Sequence, residues 1–208
     1  MTSLAPPILV IACGAIAREL TQVVRLDRLD GVEVVCLPAA FHNEPDRIPE
    51  AVRTAVRDGR ERGIERILIG YADCGTGGRL DAVCAEEGVE RLPGAHCYEF
   101  FAGHDAFAQL QDEEPGTFYL TDYLARHVDR LVFGVLGLDR HPELRDAYFG
   151  NYRRVVHLAQ IDDPQLDEKA RDAAARLGLD HERRITGYGE LRDQVVRFVH
   201  DAPLPVAG

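Results

Sequence analysis

The pattern Cys-Gly-x-x-x-Arg occurs twice in the chain, at Cys13 to Arg18 and at Cys74 to Arg79, each time directly after a short apolar run. The runs are Ile8-Leu-Val-Ile-Ala12 and Ile67-Leu-Ile-Gly-Tyr71. A second echo follows each of them. Leu37-Pro38-x-Ala40-x-His42 matches Leu92-Pro93-x-Ala95-x-Cys97 position for position. An apolar run, a glycine turn and a segment of 3.6-residue periodicity read as strand, turn and helix. Repeated strand-helix-strand units imply a mostly parallel sheet, because parallel neighbours need a helical crossover between them.

The rest of the chain keeps this alternation. Apolar runs place strands at 8–12, 32–37, 65–71, 89–92, 130–136 and 154–159. Helical periodicity covers 15–29, 46–62, 78–87, 103–111, 119–128, 142–152 and 165–177. Gly31, Gly63, Gly88 and Gly178 follow these segments as C-terminal caps, and Thr121-Asp122 marks a helix start. The two clear repeats span 8–43 and 65–98. A third, weaker one runs over 131–160, from Leu131-Val-Phe-Gly-Val-Leu136 to Val155-Val-His-Leu-Ala-Gln160, without a cysteine. The expected fold is one α/β domain across residues 1–208, with mostly parallel sheets in Rossmann-like layers.

Charge restricts the partners. The net charge is -11 and no Lys/Arg cluster stands clear of acidic neighbours, which argues against nucleic acid and anionic membrane surfaces. No apolar stretch approaches the roughly 18 residues of a membrane span. The start of the chain lacks the basic segment of a signal peptide, so a cytosolic protein is expected. Five cysteines in such a setting argue against a disulfide framework. Cys36 and Cys84 sit in apolar surroundings and read as packing residues. Cys13, Cys74 and Cys97 stand where strands give way to loops.

Ligands of open α/β sheets bind at the carboxyl ends of the strands, and here those ends carry the reactive residues. Cys13, Cys74 and Cys97 form a candidate metal set. With one histidine they would close a tetrahedral zinc site, and alone they would leave an open position on zinc or on a [4Fe–4S] cluster. His42 or His96 is a fourth ligand or a base. Asp73 and Glu99 are further acid–base candidates, though Glu99 equally reads as a helix N-terminal charge. The loop Asp73-Cys-Gly-Thr-Gly-Gly78 opens a helix, so the backbone at Thr76, Gly77 and Gly78 is an expected anion cradle. Arg18, Arg79 and Arg140 would hold a carboxylate or phosphate beside it. A helix N-terminus favours a thiolate, which leaves open a metal-free enzyme with one nucleophilic cysteine. Tyr119, Asp122 and Tyr123 could lid the crevice, while His127, His181 and His200 read as surface or packing positions.

Ala12-Cys-Gly-Ala-Ile-Ala-Arg-Glu19, Gly70-Tyr-Ala-Asp-Cys-Gly-Thr-Gly-Gly78, Gly94-Ala-His-Cys-Tyr-Glu-Phe-Phe101 and Gly137-Leu-Asp-Arg-His-Pro-Glu143 carry a family resemblance. The chain resembles, from about 8 to 195, the bacterial and archaeal proteins grouped as domain of unknown function 1638. Some members are encoded near corrinoid-dependent methylamine methyltransferases. The resemblance therefore implies a role in methylamine or one-carbon metabolism, with corrinoid-system proteins as partners. Three α/β repeats around shared cysteines are also similar in architecture to quinolinate synthase, whose three cysteines hold a [4Fe–4S] cluster. The third repeat here departs from that plan by lacking a cysteine. These readings together give a metal- or iron–sulfur-dependent enzyme acting on a small polar or anionic metabolite. The alternatives are a non-catalytic carrier of metal, corrinoid or methyl groups, and the metal-free cysteine enzyme.

Overall fold

The computed structural model describes residues 7–201. They form two compact units: the first runs to Phe100 and resumes at Tyr188, and the second spans Phe101–Gly187.

The first unit contains β1 (Ile8–Cys13), α1 (Ala17–Leu26), β2 (Val32–Leu37), α2 (Ile48–Glu61), β3 (Arg66–Gly70), α3 (Arg79–Glu87) and β4 (Glu90–Arg91), after which α4 (Cys97–Ala102) begins. All pairings are parallel and the strand order is β2-β1-β3-β4. β1 is buried along its whole length, which is why it is an unbroken apolar run rather than an alternating one. Helix α2 buries Ile48, Val52, Val56 and Gly59 on one stripe. A Cβ on Gly59 would stand 2.6 Å from Leu9 Cδ2, so the glycine lets the helix lie close on the sheet.

The second unit contains α5 (His104–Glu113), β5 (Thr117–Thr121), α6 (Asp122–Arg126), α7 (Arg145–Phe149), β6 (Arg154–Ala159), α8 (Pro164–Leu177) and β7 (Asp180–Ile185). Its three strands are parallel in the order β5-β6-β7. Leu120, Val132, Phe133, Phe149, Val155 and Leu177 belong to its core. Gly88 and Gly178 cap α3 and α8 in the left-handed conformation, as their positions in the sequence suggest. Helix α9 (Gly189–His200) returns to the first unit. There Arg66 donates to the terminal carbonyls of Phe198 and, at 2.8 Å, Asp201, and Arg192 binds Asp27 at 2.6 Å.

The architecture is Rossmann-like α/β with two parallel sheets. Three local expectations are corrected. The apolar run read as a strand at 130–136 is a π-helical turn over Asp129–Gly134 that buries Val132 and Phe133, so the weak third repeat does not begin with a strand there. The helix expected over 119–128 is β5 followed by α6, with the Thr121 side chain capping α6 by accepting the N–H of Leu124 at 3.4 Å. β7 and α9 lie in segments to which no element had been assigned. Among the described residues, no helix is long and apolar enough to cross a membrane.

Candidate functional site

In the order β2-β1-β3-β4 the chain winds outward from β1 in one direction and from β3 in the other. The carboxyl ends of β1 and β3 therefore flank a topological switch point, where adjacent loops part and leave a crevice. A cavity of about 10 Å³ lies there, lined by Cys13, His42, Tyr71, Cys74, Cys97 and Phe100 among others. That volume is room for about one water-sized occupant.

Each side chain reaches the cavity by a different route. Cys13 is the last residue of β1, and its Sγ accepts the N–H of Ala15 at 3.3 Å. Cys74 shares its repeat position but not its place in the sheet. The register pairs Ala12 with Gly70, so Tyr71-Ala72-Asp73 carries the chain past the strand end before Cys74 arrives. Cys74 has φ of 50°, a left-handed conformation costly for a residue with a Cβ and concentrated at functional sites. His42 comes from a 3₁₀ turn after β2, with Nδ1 3.5 Å from Cys13 Sγ and 3.3 Å from the carbonyl of Ala39. Cys97 opens α4 beyond β4. The structure thus gathers Cys13, Cys74, Cys97 and His42 at one cavity. No three of their ligand atoms lie within 4.8 Å of one another. All four residues belong to the first unit and end or follow strands of one sheet, unlike the three-repeat arrangement suggested by quinolinate synthase.

Burial sets the electrostatics of the cavity's thiols. Burial pushes the Cys13 thiol up to about 11 and the Cys74 thiol up to about 12. It pushes Cys97 higher still, reinforced by the neighbouring thiols. No arginine or lysine lines the space. Burial likewise lowers His42 below its ordinary value of 6.5, so its imidazole is neutral at pH 7. Tyr71, stacked 6.4 Å from the His42 ring, buries a hydroxyl that finds no well-aligned hydrogen-bond partner. The expected helix-stabilised thiolate is therefore not formed: in the protein alone these are neutral thiols.

The expected anion cradle is filled from within. The Asp73 carboxylate accepts the Thr76 hydroxyl at 2.7 Å, the Gly78 N–H at 2.9 Å and the Gly77 N–H at 3.1 Å. Burial works against its charge, but these three donors hold its pKa down at about 2. Asp73 is thus a structural clamp on the loop that presents Cys74, not a free acid or base. The candidate arginines of this unit do not line the cavity. Arg79 binds Asp46 at 2.5 Å and the Thr76 carbonyl at 2.7 Å, and Arg18 is exposed on α1.

The family model described as "Protein of unknown function (DUF1638)" matches residues 36–195. The chain belongs to this family. The DUF1638 match includes His42, Cys74 and Cys97 and begins after Cys13. No curated protein and no solved structure matches the chain.

The remaining expected residues of this DUF1638 protein fall outside the cavity lining. His96 is exposed and packs its ring 6.2 Å from Tyr98. Glu99 accepts the N–H of Ala95 at 2.8 Å, the helix-start role that was its alternative reading. Arg140 lies in the second unit, exposed and 3.7 Å from Asp139. Sequence reasoning gave no weight to His157 and took His181 for a surface residue. In the structure His157 is wholly buried and contacts buried Asp122, while His181 lies 3.4 Å from Asp167. The available signal was a histidine inside the apolar strand Val155-Val-His-Leu-Ala159.

Proposed function

We propose that this DUF1638 protein holds one thiophilic metal ion on Cys13, Cys74 and Cys97, with His42 beside it, and is an enzyme acting on a small molecule there. The observation that carries the proposal is the convergence of three cysteines and a neutral histidine, from four different strand ends, on one cavity at the switch point. Soft thiol donors and a neutral imidazole suit zinc or a similar ion. A cavity of about 10 Å³ accommodates an ion once the thiols draw in, whereas a cubane cluster would displace the lining side chains. This favours zinc over the [4Fe–4S] alternative. Bound, such an ion supplies Lewis-acid polarisation at its open position.

The protein's own residues would do the rest. Cys13, Cys74 and Cys97 release protons as the ion binds, because metal ligation requires thiolates. Phe100 and Tyr71 would wall the thiols on their inner side, and the Asp73 clamp would hold the strained backbone of Cys74. No cation lines the cavity, so the substrate class shifts from anionic to small and uncharged. The one-carbon chemistry implied by the family resemblance fits that limit, as does a cytosolic setting that keeps thiols reduced. The raised thiol pKa values weigh against the metal-free nucleophile.

A second reading, a metal or methyl-group carrier serving a partner enzyme, is favoured by the exposure of His42 and the partial exposure of Cys97. Elemental analysis of anaerobically purified protein, with Cys74→Ser beside it, tests both readings. Turnover of a small substrate that is lost with the metal separates the enzyme from the carrier.

A further inference from the structure

A histidine in the middle of an apolar parallel strand needs a reason to be there. His157 lies between Val156 and Leu158 on β6 and is completely buried. A buried imidazole is costly unless both ring nitrogens find partners. Nε2 has one, 3.0 Å away at Oδ1 of Asp122, whose other oxygen accepts the N–H of Ile161 at 3.0 Å. Facing a carboxylate, Nε2 carries a proton, and in the neutral ring Nδ1 then presents a bare lone pair. Nδ1 has no hydrogen-bond partner.

Two further unsatisfied atoms surround it. Oδ1 of Asp167, from α8, lies 3.8 Å from His157 Nδ1 and is also unpartnered. Nε2 of His181, from β7, lies 3.4 Å from the same oxygen and is unpartnered as well. Asp167 is itself only 8% exposed, and Arg171 binds its outer oxygen at 2.6 Å, which leaves Oδ1 turned inward. The three atoms all lie within 4.8 Å of one another. The lone pairs of His157 Nδ1 and Asp167 Oδ1 repel unless something between them accepts electron density or donates hydrogen bonds.

We infer that the second unit carries a separate site for a first-row divalent cation, held by His157 Nδ1, Asp167 Oδ1 and His181 Nε2. A tetrahedral ion with bonds of about 2.0–2.2 Å places its ligand atoms about 3.3–3.6 Å apart, close to the spacing seen here. Two imidazoles and one carboxylate suit zinc or ferrous iron and leave a position open. Asp122 fixes the tautomer and orientation of His157, the supporting arrangement that metal-bound histidines need. Two guanidinium groups flank the carboxylate. Arg171 faces its outer oxygen, and Arg183 Nε, unpartnered and 3.7 Å from Oδ1, is a donor suited to the oxygen of a metal-bound water. The site contains no sulfur and belongs to the second unit, so it stands or falls independently of the cysteine cavity.

The test uses full-length, metal-free protein in which Cys13, Cys74 and Cys97 are all changed to serine, titrated with Co²⁺. The expected result is one tightly held Co²⁺ per chain, with ligand-field bands but no thiolate-to-cobalt charge transfer, displaced by Zn²⁺. His181→Gln should abolish the signal, and Asp122→Asn should weaken binding roughly 10–100-fold. In the wild-type background the same bands should disappear in His181→Gln while any thiolate signal stays, so the test does not depend on the triple variant folding. Absence of nitrogen- and oxygen-ligated Co²⁺ in both backgrounds, or unchanged binding in His181→Gln, overturns the inference and leaves an ordered water as the occupant.

Discussion

Cys13 Sγ lies 3.5 Å from His42 Nδ1, although 29 residues separate them in the chain. Cys13 ends β1 and His42 follows the adjacent parallel strand β2, and both are driven toward neutrality by burial. A neutral thiol against a neutral imidazole is a poor nucleophilic pair, and both atoms are donors of the kind a thiophilic metal takes.

The first expected outcome concerns thiol reactivity. A thiol at about 11 is ionised in roughly one molecule in 10⁴ at pH 7, about 100-fold less than one at the ordinary 9.0. Iodoacetamide should therefore alkylate Cys13 and Cys74 slowly in metal-free protein, at a rate that climbs with pH toward 11 and 12. Stability follows the same protons. The unfolded chain sheds them from 9.0 while the folded one retains them, so stability is full below pH 9 and falls as pH rises toward 11. Denaturant unfolding across that range checks the sign, and rapid alkylation of one cysteine at pH 7 would contradict it.

Asp73 clamps the loop of Cys74 through three hydrogen bonds. Asp73→Ala should lower stability by about 1.5–3 kcal/mol, the range for a bonded charged acceptor, with Asp73→Asn in between. Its pKa is depressed from 3.8 to about 2, so its contribution is present above pH 3.8 and lost as pH falls toward 2. Thermal unfolding of the wild type and Asp73→Ala in acid should converge.

At Gly70, β3 leaves no room for a side chain against β1. An added Cβ would stand 2.8 Å from Ala12 Cβ, with the Ala12 backbone just behind it. Gly70→Ala should cost about 1–3 kcal/mol by overpacking and disturb the cavity it lines. Unfolding midpoints and metal content measured together check both effects.

The arginines give a contrasting expectation. Arg79 is engaged with Asp46 and Thr76, while Arg18 and Arg140 are exposed and are not among the lining residues. Arg18→Ala, Arg79→Ala and Arg140→Ala should leave metal content unchanged. A loss of metal in any of them would contradict their placement outside the cavity lining.

The first sheet was legible because buried parallel strands are written as continuous apolar runs, as in Ile8-Leu-Val-Ile-Ala12. β7 was not, since Asp180-His-Glu-Arg-Arg-Ile185 is a charged edge strand with only one neighbour. Leu131-Val-Phe-Gly-Val-Leu136 misled because a short apolar run has no period that separates strand from buried helix. The convergence of Cys13, Cys74 and Cys97 could be read from the repeat. The self-filled cradle could not, because spacing does not show that Asp73 turns back onto Thr76, Gly77 and Gly78. His157 stayed hidden because Asp122, its partner, is 35 residues away.

Metal content of anaerobically purified protein, measured with Cys74 intact and with Cys74→Ser and both proteins shown to be folded, bears most directly on the cysteine site. The second unit's site is held constant by carrying His181→Gln in both proteins. The account predicts about one thiophilic ion per chain in the first protein and its loss in the second. No metal in the first, or equal metal in both, would contradict it.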